Sequence, residues 1–168
     1  MGRTWNRLMA RVFTRFPSLA GRWARRLEAA PGGIPWAVPR RPLGEAVVGL
    51  VTTGGVHLRS QEPFDMDDPD GDPTFREVPV DAPRGDITIT HDYYDHGDAD
   101  RDLNLVLPVD RVRELVDRGV VGGLHPRAYA FMGHITGPHL VTLVRETGPE
   151  VARRLRDAAV DYALLVPA

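Results

Sequence analysis

Short apolar runs that alternate with helix-like segments constrain the fold of this chain most. Residues 45–52, "EAVVGLVT", form one such run closed by "TGG", and residues 161–167, "DYALLVP", form another. Apolar runs of this length are typical of strands buried on both faces. "RAYAFMGH" at 127–134 predicts a third core strand, and "GDITITH" at 85–91 alternates apolar with polar residues, as a further strand does. The sequence therefore predicts a sheet with four core strands.

Helical patterns separate these strands. "LPVDRVRELVDRG" at 107–119 has a proline near its start, repeats apolar residues three and four apart and stops at Gly119. Residues 137–146 and 148–159 predict two more helical pieces, each opened by Gly-Pro. Alternating strands and helices predict an α/β fold, in which a mostly parallel sheet is flanked by helices in a flavodoxin- or Rossmann-like three-layer arrangement. The sheet is expected to be incomplete, because the sequence stops two residues after its last strand.

The first sixteen residues carry a helical row of arginines. Arg3, Arg7, Arg11 and Arg15 recur every four residues, and the large apolar side chains fall on the opposite side: Trp5, Leu8, Met9, Val12, Phe13 and Phe16. This pattern predicts a basic amphipathic helix that breaks near Pro17 and resumes over residues 19–30. Such a helix can lie on a membrane, bind nucleic acid or act as a transit peptide. Packing on its own domain or on a partner subunit is favoured, so no nucleic-acid or membrane partner is predicted.

The chain divides into three parts. Residues 1–30 form the basic helical segment, residues 31–44 a proline- and glycine-rich linker, and residues 45–168 the α/β domain. The net charge of −2 conceals an asymmetry, because residues 1–28 hold seven arginines against one acid, whereas residues 60–102 hold fourteen acids against three arginines. The two regions are expected to attract each other or to attract different partners.

Composition excludes several kinds of site. The chain has no cysteine, which excludes disulfides, thiolate metal sites and thiol catalysis within these residues. All 21 basic residues are arginine, so no lysine can form a Schiff base. No apolar run approaches the roughly 18 residues of a membrane helix, and no signal peptide is visible. The predicted location is the cytoplasm.

The familiar catalytic and ligand-binding motifs are absent or incomplete. "GLVTTGGVHL" resembles a phosphate-binding loop only weakly, because neither glycine signature is complete. "DMDDPDGDP" at 65–73 suggests a calcium loop, but Pro69 and Pro73 occupy places needed for ligand geometry and no Glu falls at the twelfth position. Residues 61–73 therefore predict an acidic surface loop that leads to an extended piece at 74–80. Residues 91–100 hold two histidines and four aspartates, but without the spacing of a known helical metal motif. No serine lies in a nucleophile elbow.

Histidines collect at one edge of the predicted sheet. Five of the six follow a predicted strand: His57, His91, His96, His134 and His139. The sixth, His125, precedes its strand. Because ligands bind outside the carboxyl ends of strands in such folds, a functional cleft is expected there. Histidine suits proton transfer near neutral pH.

Taken together, several longer segments resemble a known family. "GLVTTGGVHLRSQEPFD", "GDPTFREVP", "ITITHDYYDHGDADRDLNLVLPVDRVRELVDRGVVGG", "FMGHI", "GPEVARRL" and "DYALLVP" occur in this order between residues 45 and 168. This succession resembles the selenoprotein B family of glycine, sarcosine, betaine and D-proline reductases, and within it the shorter D-proline reductase type. The joint presence of "GVHLRSQEPFD" and "DLNLVLPVDRVREL" makes the resemblance specific.

The resemblance implies reductive cleavage of a C–N bond in a glycine-, betaine-, sarcosine- or D-proline-type substrate. It implies a selenocysteine, or a cysteine in related members, that attacks the carbon alpha to the carboxylate. It also implies a pyruvoyl group on a partner subunit, a thiol reductant and assembly as an oligomer or heteromer. No cofactor is expected within this chain. A selenolate is ionised at neutral pH and is a strong nucleophile, which extends the chemistry of low-pKa thiolates.

Placement at the strand ends, together with the resemblance, selects five candidate pocket residues. His57, His91 and His134 are candidates for proton donation or substrate binding. Glu62 and Asp92 are candidates for orienting a cationic amine. No residue of the chain is assigned as the catalytic nucleophile, and no metal ligand is assigned.

The sequence departs from the family pattern at the decisive position. Family members continue directly from the equivalent of "LLVPA" into the catalytic selenocysteine or cysteine, whereas this sequence ends at Ala168. A UGA selenocysteine codon read as a stop is the favoured explanation. The others are a truncation whose C-terminal half is separate or lost, and a truncated homologue that serves as an inactive binding or interaction module. In every case the 168 residues alone are expected to be inactive.

Overall fold

A computed structural model describes residues 3–16 and 37–168. Its helices are α1 (Arg3–Arg15), α2 (Gly97–Arg101), α3 (Val109–Asp117), α4 (His139–Thr142) and α5 (Gly148–Asp157), with a π-helical turn at Leu143–Thr147 between the last two. Its strands are β1 (Val47–Thr52), β2 (Val56–Leu58), β3 (Arg76–Pro79), β4 (Ile87–Ile89), β5 (Gly123–Leu124), β6 (Arg127–Ala130) and β7 (Tyr162–Val166). The second helical piece predicted at 19–30 lies outside the described residues, and so does most of the predicted linker.

The main sheet is built around β1. On one side β1 pairs in parallel with β5 through its first residues and with β6 through its last, and on the other side it pairs in parallel with β7 over five residues. β3 runs antiparallel to β6 and forms the outer strand there. The predicted α/β fold with a mostly parallel sheet is confirmed, and the extended piece predicted at 74–80 contains β3.

Helices cover both faces of this sheet. Val48 and Leu50 of β1 point to one face, where they pack in the same core cluster as Val109 and Val112 of α3. Alternate residues of a strand point to opposite faces, so Val51 faces the other side and packs with Leu155 of α5. The predicted three-layer arrangement follows from these two clusters.

The strand predicted at 85–91 does not join the parallel sheet. Its central residues form β4, which pairs antiparallel with β2 as a separate two-stranded sheet. Strict alternation of Ile and Thr is the pattern of a strand with one buried face, and an antiparallel pair satisfies it. Two further details differ from the sequence interpretation: His57 lies within β2, and the expected polar loop at 91–102 contains α2.

Strand β7 lies at the edge of the sheet. Within the described residues no strand pairs with its outer side, and Leu164 and Leu165 are 42 % and 69 % exposed. The two leucines point to opposite faces, so the strand is apolar on both sides, and its middle residues are exposed although Tyr162 packs against the core. An uncovered edge of this kind is a template for pairing with another strand.

Helix α1 packs on the α/β domain through its polar side. Ala10 is buried and Asn6 half-buried, whereas Trp5, Leu8 and Phe16 are about half exposed. The attachment includes ion pairs from Arg3 and Arg7 to the domain, so the predicted attraction between the basic and acidic regions is present in the fold. None of the helices described is long and apolar enough to span a membrane.

Candidate functional site

Gly55 brings two loops together at the carboxyl end of β1. Its backbone has a positive φ of 67°, and its N–H donates to the carbonyl of Phe131 while its carbonyl accepts from the N–H of Thr90. A Cβ atom at this position would lie 2.4 Å from the Thr90 oxygen. Only glycine fits this conformation and this spacing. The "TGG" turn therefore positions the segment that begins at Thr90 beside the main sheet, although β4 is not part of that sheet.

His91 is buried at this edge. The Tyr93 backbone N–H donates to its Nδ1 at 3.0 Å, which leaves the proton of the neutral ring on Nε2. Burial, together with the nearby His134 and His96, lowers the pKa of His91 to about 4. The ring is therefore neutral at physiological pH. The Met132 backbone carbonyl is an acceptor for its Nε2–H, and the ring is not a cationic ligand.

Asp92 is almost completely buried beside it. Its side chain is 1 % exposed, and its two oxygens accept hydrogen bonds from the Nε atoms of Arg3 and Arg7 at 2.7 and 2.8 Å. Burial alone raises the pKa of a carboxyl group, but the two guanidinium groups outweigh this and hold the pKa of Asp92 below its usual value. Asp92 is therefore a permanently charged acceptor of N–H donors.

These residues line a cleft of about 310 Å³ between α1 and residues 89–100. Three arginines of α1 form one wall, and the other holds His91, Asp92, Tyr94 and the His96–Asp100 pair, whose Nδ1 and Oδ2 atoms are 2.7 Å apart. Tyr94 anchors this wall, since its hydroxyl donates to the Gly54 carbonyl at 3.1 Å. Burial raises the pKa of Tyr94. The cleft combines fixed charges of both signs, as a site for a zwitterion requires.

Of the other predicted residues, His134 lies close by and His57 has structural contacts. The His134 ring stacks on Tyr93 with centroids 3.8 Å apart, and Tyr93 in turn meets His91 edge-on. His57 is 3 % exposed, and its ring nitrogens lie 2.8 Å from the Leu58 carbonyl and from Thr90 Oγ1. Burial lowers the pKa of His57. His57 therefore positions Thr90 and has no surface to offer to a ligand.

Glu62 lies apart from the other four, in a neighbouring depression. Glu62 is exposed in that depression, which is also lined by the buried Phe64 and Asp72. Only Arg3 and Thr90 border both depressions. The structure thus brings together His91, Asp92 and His134 through Tyr93, and it separates Glu62 from them. His125, expected at the other end of the sheet, does lie near the start of β1, where its N–H donates to the Val48 carbonyl.

Sequence reasoning missed several residues of the cleft. The arginine row indicated a charged surface, but nothing in it indicated that Arg3 and Arg7 share a single carboxylate. Tyr93 and Tyr94 stand next to two candidate residues and signal no role by themselves. Within residues 3–16 and 37–168, no group of three or more His, Asp or Glu side chains is arranged to hold a metal ion.

Comparison with known proteins agrees with this description. Residues 32–168 match the family described as glycine/sarcosine/betaine reductase selenoprotein B. The chain is 37 % identical over 130 residues to the D-proline reductase subunit gamma of Acetoanaerobium sticklandii, covering 77 % of this chain and 52 % of that protein. It is 32 % identical over 145 residues to the glycine reductase complex component B subunit gamma of Symbiobacterium thermophilum, covering 79 % and 30 %.

These relatives are much longer than this sequence. The chain spans about half of the D-proline reductase subunit and under a third of the glycine reductase subunit. No solved structure matches the chain. The family match covers the whole α/β domain and leaves out α1. The chain belongs to the glycine/sarcosine/betaine reductase selenoprotein B family.

Proposed function

We propose that this chain forms part of a subunit of an amino-acid reductase that cleaves the C–N bond alpha to a carboxylate. Membership of the selenoprotein B family carries the proposal, and the names of two relatives point to D-proline and glycine as the substrate types. The cleft beside β1 supports it, because a cleft with fixed positive and negative groups suits an amino acid. Both relatives are named as subunits, which supports a role for this chain as part of a heteromer.

The proposed reaction consumes two electrons. The C–N bond breaks, a C–H bond forms at the same carbon, and the nitrogen leaves as an amine that takes up a proton. A dithiol supplies the electrons and is oxidised to a disulfide. Thiolate or selenolate attack on the carbon is the step that splits this reduction into two easier ones.

The nucleophile comes from outside these 168 residues, because the chain contains no cysteine. In family terms it is a selenocysteine or cysteine, and a pyruvoyl group on a partner subunit would supply an electrophilic carbonyl for the substrate amine. This chain contributes the cleft. Asp92 offers a charged acceptor for N–H groups, and Tyr93 and Tyr94 hold the loop that carries His91.

His91 is suited to hydrogen bonding at the cleft and not to supplying the proton that the leaving amine requires. Its neutral ring carries a proton on Nε2 and lies at the wall of the cleft. Its low pKa means that the ring is not protonated further near neutral pH, and a neutral ring that gave up its one proton would become a strongly basic imidazolate, so the proton comes from another acid or from water. His134 stacks on Tyr93 behind this wall.

The first test is the gene that encodes these residues. A selenocysteine (UGA) or cysteine codon in the same reading frame is expected, together with a neighbouring gene for a pyruvoyl-type proprotein. A reading frame that encodes neither residue contradicts the proposed nucleophile.

The second test is biochemical. The complete subunit is assembled with its neighbouring subunits, supplied with dithiothreitol and D-proline or glycine, and analysed for the reduced product by mass spectrometry. The expected result is release of 5-aminopentanoate from D-proline, or of a product at the oxidation level of acetate from glycine. An equal amount of disulfide should form. An assembled complex that cleaves no amino-acid C–N bond contradicts the proposed function.

A further inference from the structure

Within the described residues, the side chains that hydrogen-bond to the Asp92 carboxylate are Arg3 and Arg7 of α1. The two arginines that bind it are 47 % and 61 % exposed, whereas its own side chain is 1 % exposed. The rest of the cleft wall comes from residues 89–100. Helix α1 is therefore the cover of this carboxylate.

Helix α1 and Asp92 lie in different parts of the chain. Asp92 lies inside the family match at residues 32–168, and α1 lies before it. The carboxylate thus lies in the family-matched domain, while the arginines that bind it lie in a segment before that match.

The hydrogen-bond pattern indicates what else can bind there. Each carboxylate oxygen accepts one charge-assisted N–H bond, from two different guanidinium groups. A protonated primary or secondary amine also carries at least two N–H donors on a positive nitrogen, so it can replace both bonds. A quaternary ammonium carries none, and it leaves both oxygens without hydrogen bonds.

The attachment of α1 to the domain is weak enough for a ligand to displace the helix. Trp5, Leu8 and Phe16 are about half exposed, and of the apolar side chains described on the helix only the small Ala10 is buried, with Met9 and Val12 half-buried. The two arginines are about half exposed, so salt ions reach their side of each ion pair and screen it, and undocking of α1 returns Asp92 to water instead of leaving it buried without a partner. A ligand that satisfies Asp92 can therefore compete with the helix.

We propose that Asp92 binds the protonated amino group of an N–H-bearing amino-acid substrate and that α1 occupies this position until the substrate displaces it. This inference rests on the proposed function and narrows its substrate class to glycine-, sarcosine- and D-proline-type amines, as opposed to betaine. Arg3 and Arg7 act as an internal competitor for the substrate.

The test compares two charge-matched variants of the full chain. Arg3→Gln/Arg7→Gln removes both bonds to Asp92. Arg15→Gln/Arg118→Gln removes the same charge from exposed positions that line neither the cleft nor Asp92. Hydrogen exchange of the α1 amides, followed by mass spectrometry, reports whether the helix is docked. Faster exchange is expected in the first variant and not in the second, and raised salt should reproduce the effect in the wild type.

Binding of D-proline and betaine is then measured by NMR titration. D-Proline should bind the Arg3→Gln/Arg7→Gln variant about tenfold tighter than the wild type, because the competitor is gone. Adding Asp92→Asn to that variant should abolish the binding. In the wild type, D-proline but not betaine should speed exchange of the α1 amides.

Three results overturn the inference: equal D-proline affinity in the wild type and the Arg3→Gln/Arg7→Gln variant, binding that Asp92→Asn leaves unchanged, or equal displacement of α1 by betaine. A complete reductase complex that cleaves D-proline equally well with Asp92→Asn also overturns it and leaves the proposed function standing. If the wild-type complex cleaves the C–N bond of no amine although D-proline still binds at Asp92, the proposed function is overturned and the inference about binding at Asp92 stands.

Discussion

Strands β1 and β7 are neighbours with nearly the same kind of sequence and opposite surroundings. "VVGLVT" and "YALLV" are both apolar runs, and they pair residue by residue in parallel from Val48 with Tyr162 to Thr52 with Val166. Leu50 is fully buried, whereas its partner Leu164 is 42 % exposed. An apolar run thus indicates a strand, and it also indicates that something covers the strand, but it does not indicate what provides the cover.

The largest expected difference lies between Leu50 and Leu165. Leu50→Ala should lower the free energy of unfolding by about 2–5 kcal/mol, since it leaves a cavity where the layers meet. Leu165→Ala serves as the matched control and should change it by under ~0.5 kcal/mol, because the side chain is mostly in solvent. Urea denaturation followed by circular dichroism measures both. Equal losses contradict the assignment of β7 to the edge.

The loop at the carboxyl end of β1 should make the fold sensitive to acid. The pKa of His91 is about 4 in the folded chain and 6.5 without the fold. Between these values the unfolded chain binds a proton that the folded chain does not, so stability falls as the pH falls. The loss reaches about 3 kcal/mol at pH 4.

Stability measured from pH 7 to pH 4.5 checks this expectation. His91→Gln removes the titrating group and should flatten the decline, at some cost in stability at pH 7. A decline of unchanged slope in the variant contradicts the assignment to His91.

A smaller effect is expected where the chain turns into β7. Ala159 has a positive φ of 56° after α5, a conformation that disfavours residues with a side chain. Ala159→Gly should raise the free energy of unfolding by about 1 kcal/mol. Ala158→Gly is the matched control, since Ala158 has φ −82°, and it should be slightly destabilising. A thermal melt that ranks the two variants in reverse contradicts the strain at Ala159.

The smallest effect on folding should accompany a clear effect on association. Leu165→Thr should leave the unfolding free energy within ~0.5 kcal/mol of the wild type while lowering self-association of the purified chain. The uncovered apolar edge of β7 favours pairing between chains, and a polar side chain weakens it. Sedimentation at several concentrations measures the change. Identical association of both proteins shows that β7 is not the surface involved.

The order and type of the elements could be predicted from the sequence because they are local properties. The apolar runs at β1, β6 and β7 and the capped pattern of α3 needed no knowledge of their neighbours. The placement of β4 could not be predicted in this way, since both sheets accept an Ile-Thr alternation and the partner β2 has only three residues.

The residues of the candidate site also divide into those that local sequence indicates and those that depend on contacts distant in the chain. Position after a strand correctly indicated His91, Asp92 and His134 as residues of one region. It failed for His57, whose burial depends on a pairing partner 31 positions away in sequence, Thr88. It also gave no means of finding the contact between Arg3 and Asp92, which are 89 residues apart.

The pairing of β1 with β7 also has a consequence for the order in which the protein is made. The two strands are 114 residues apart, as the hydrogen bond from Val47 N–H to Asp161 shows. At a synthesis rate of about 5–20 residues per second, one edge of β1 waits on the order of ten seconds for its partner. For most of that time neither edge of β1 is paired, because β5 and β6, which pair with its other edge, also follow it far along the chain. A ribosome-associated chaperone therefore has a clear target at β1, the first strand of the described residues to emerge.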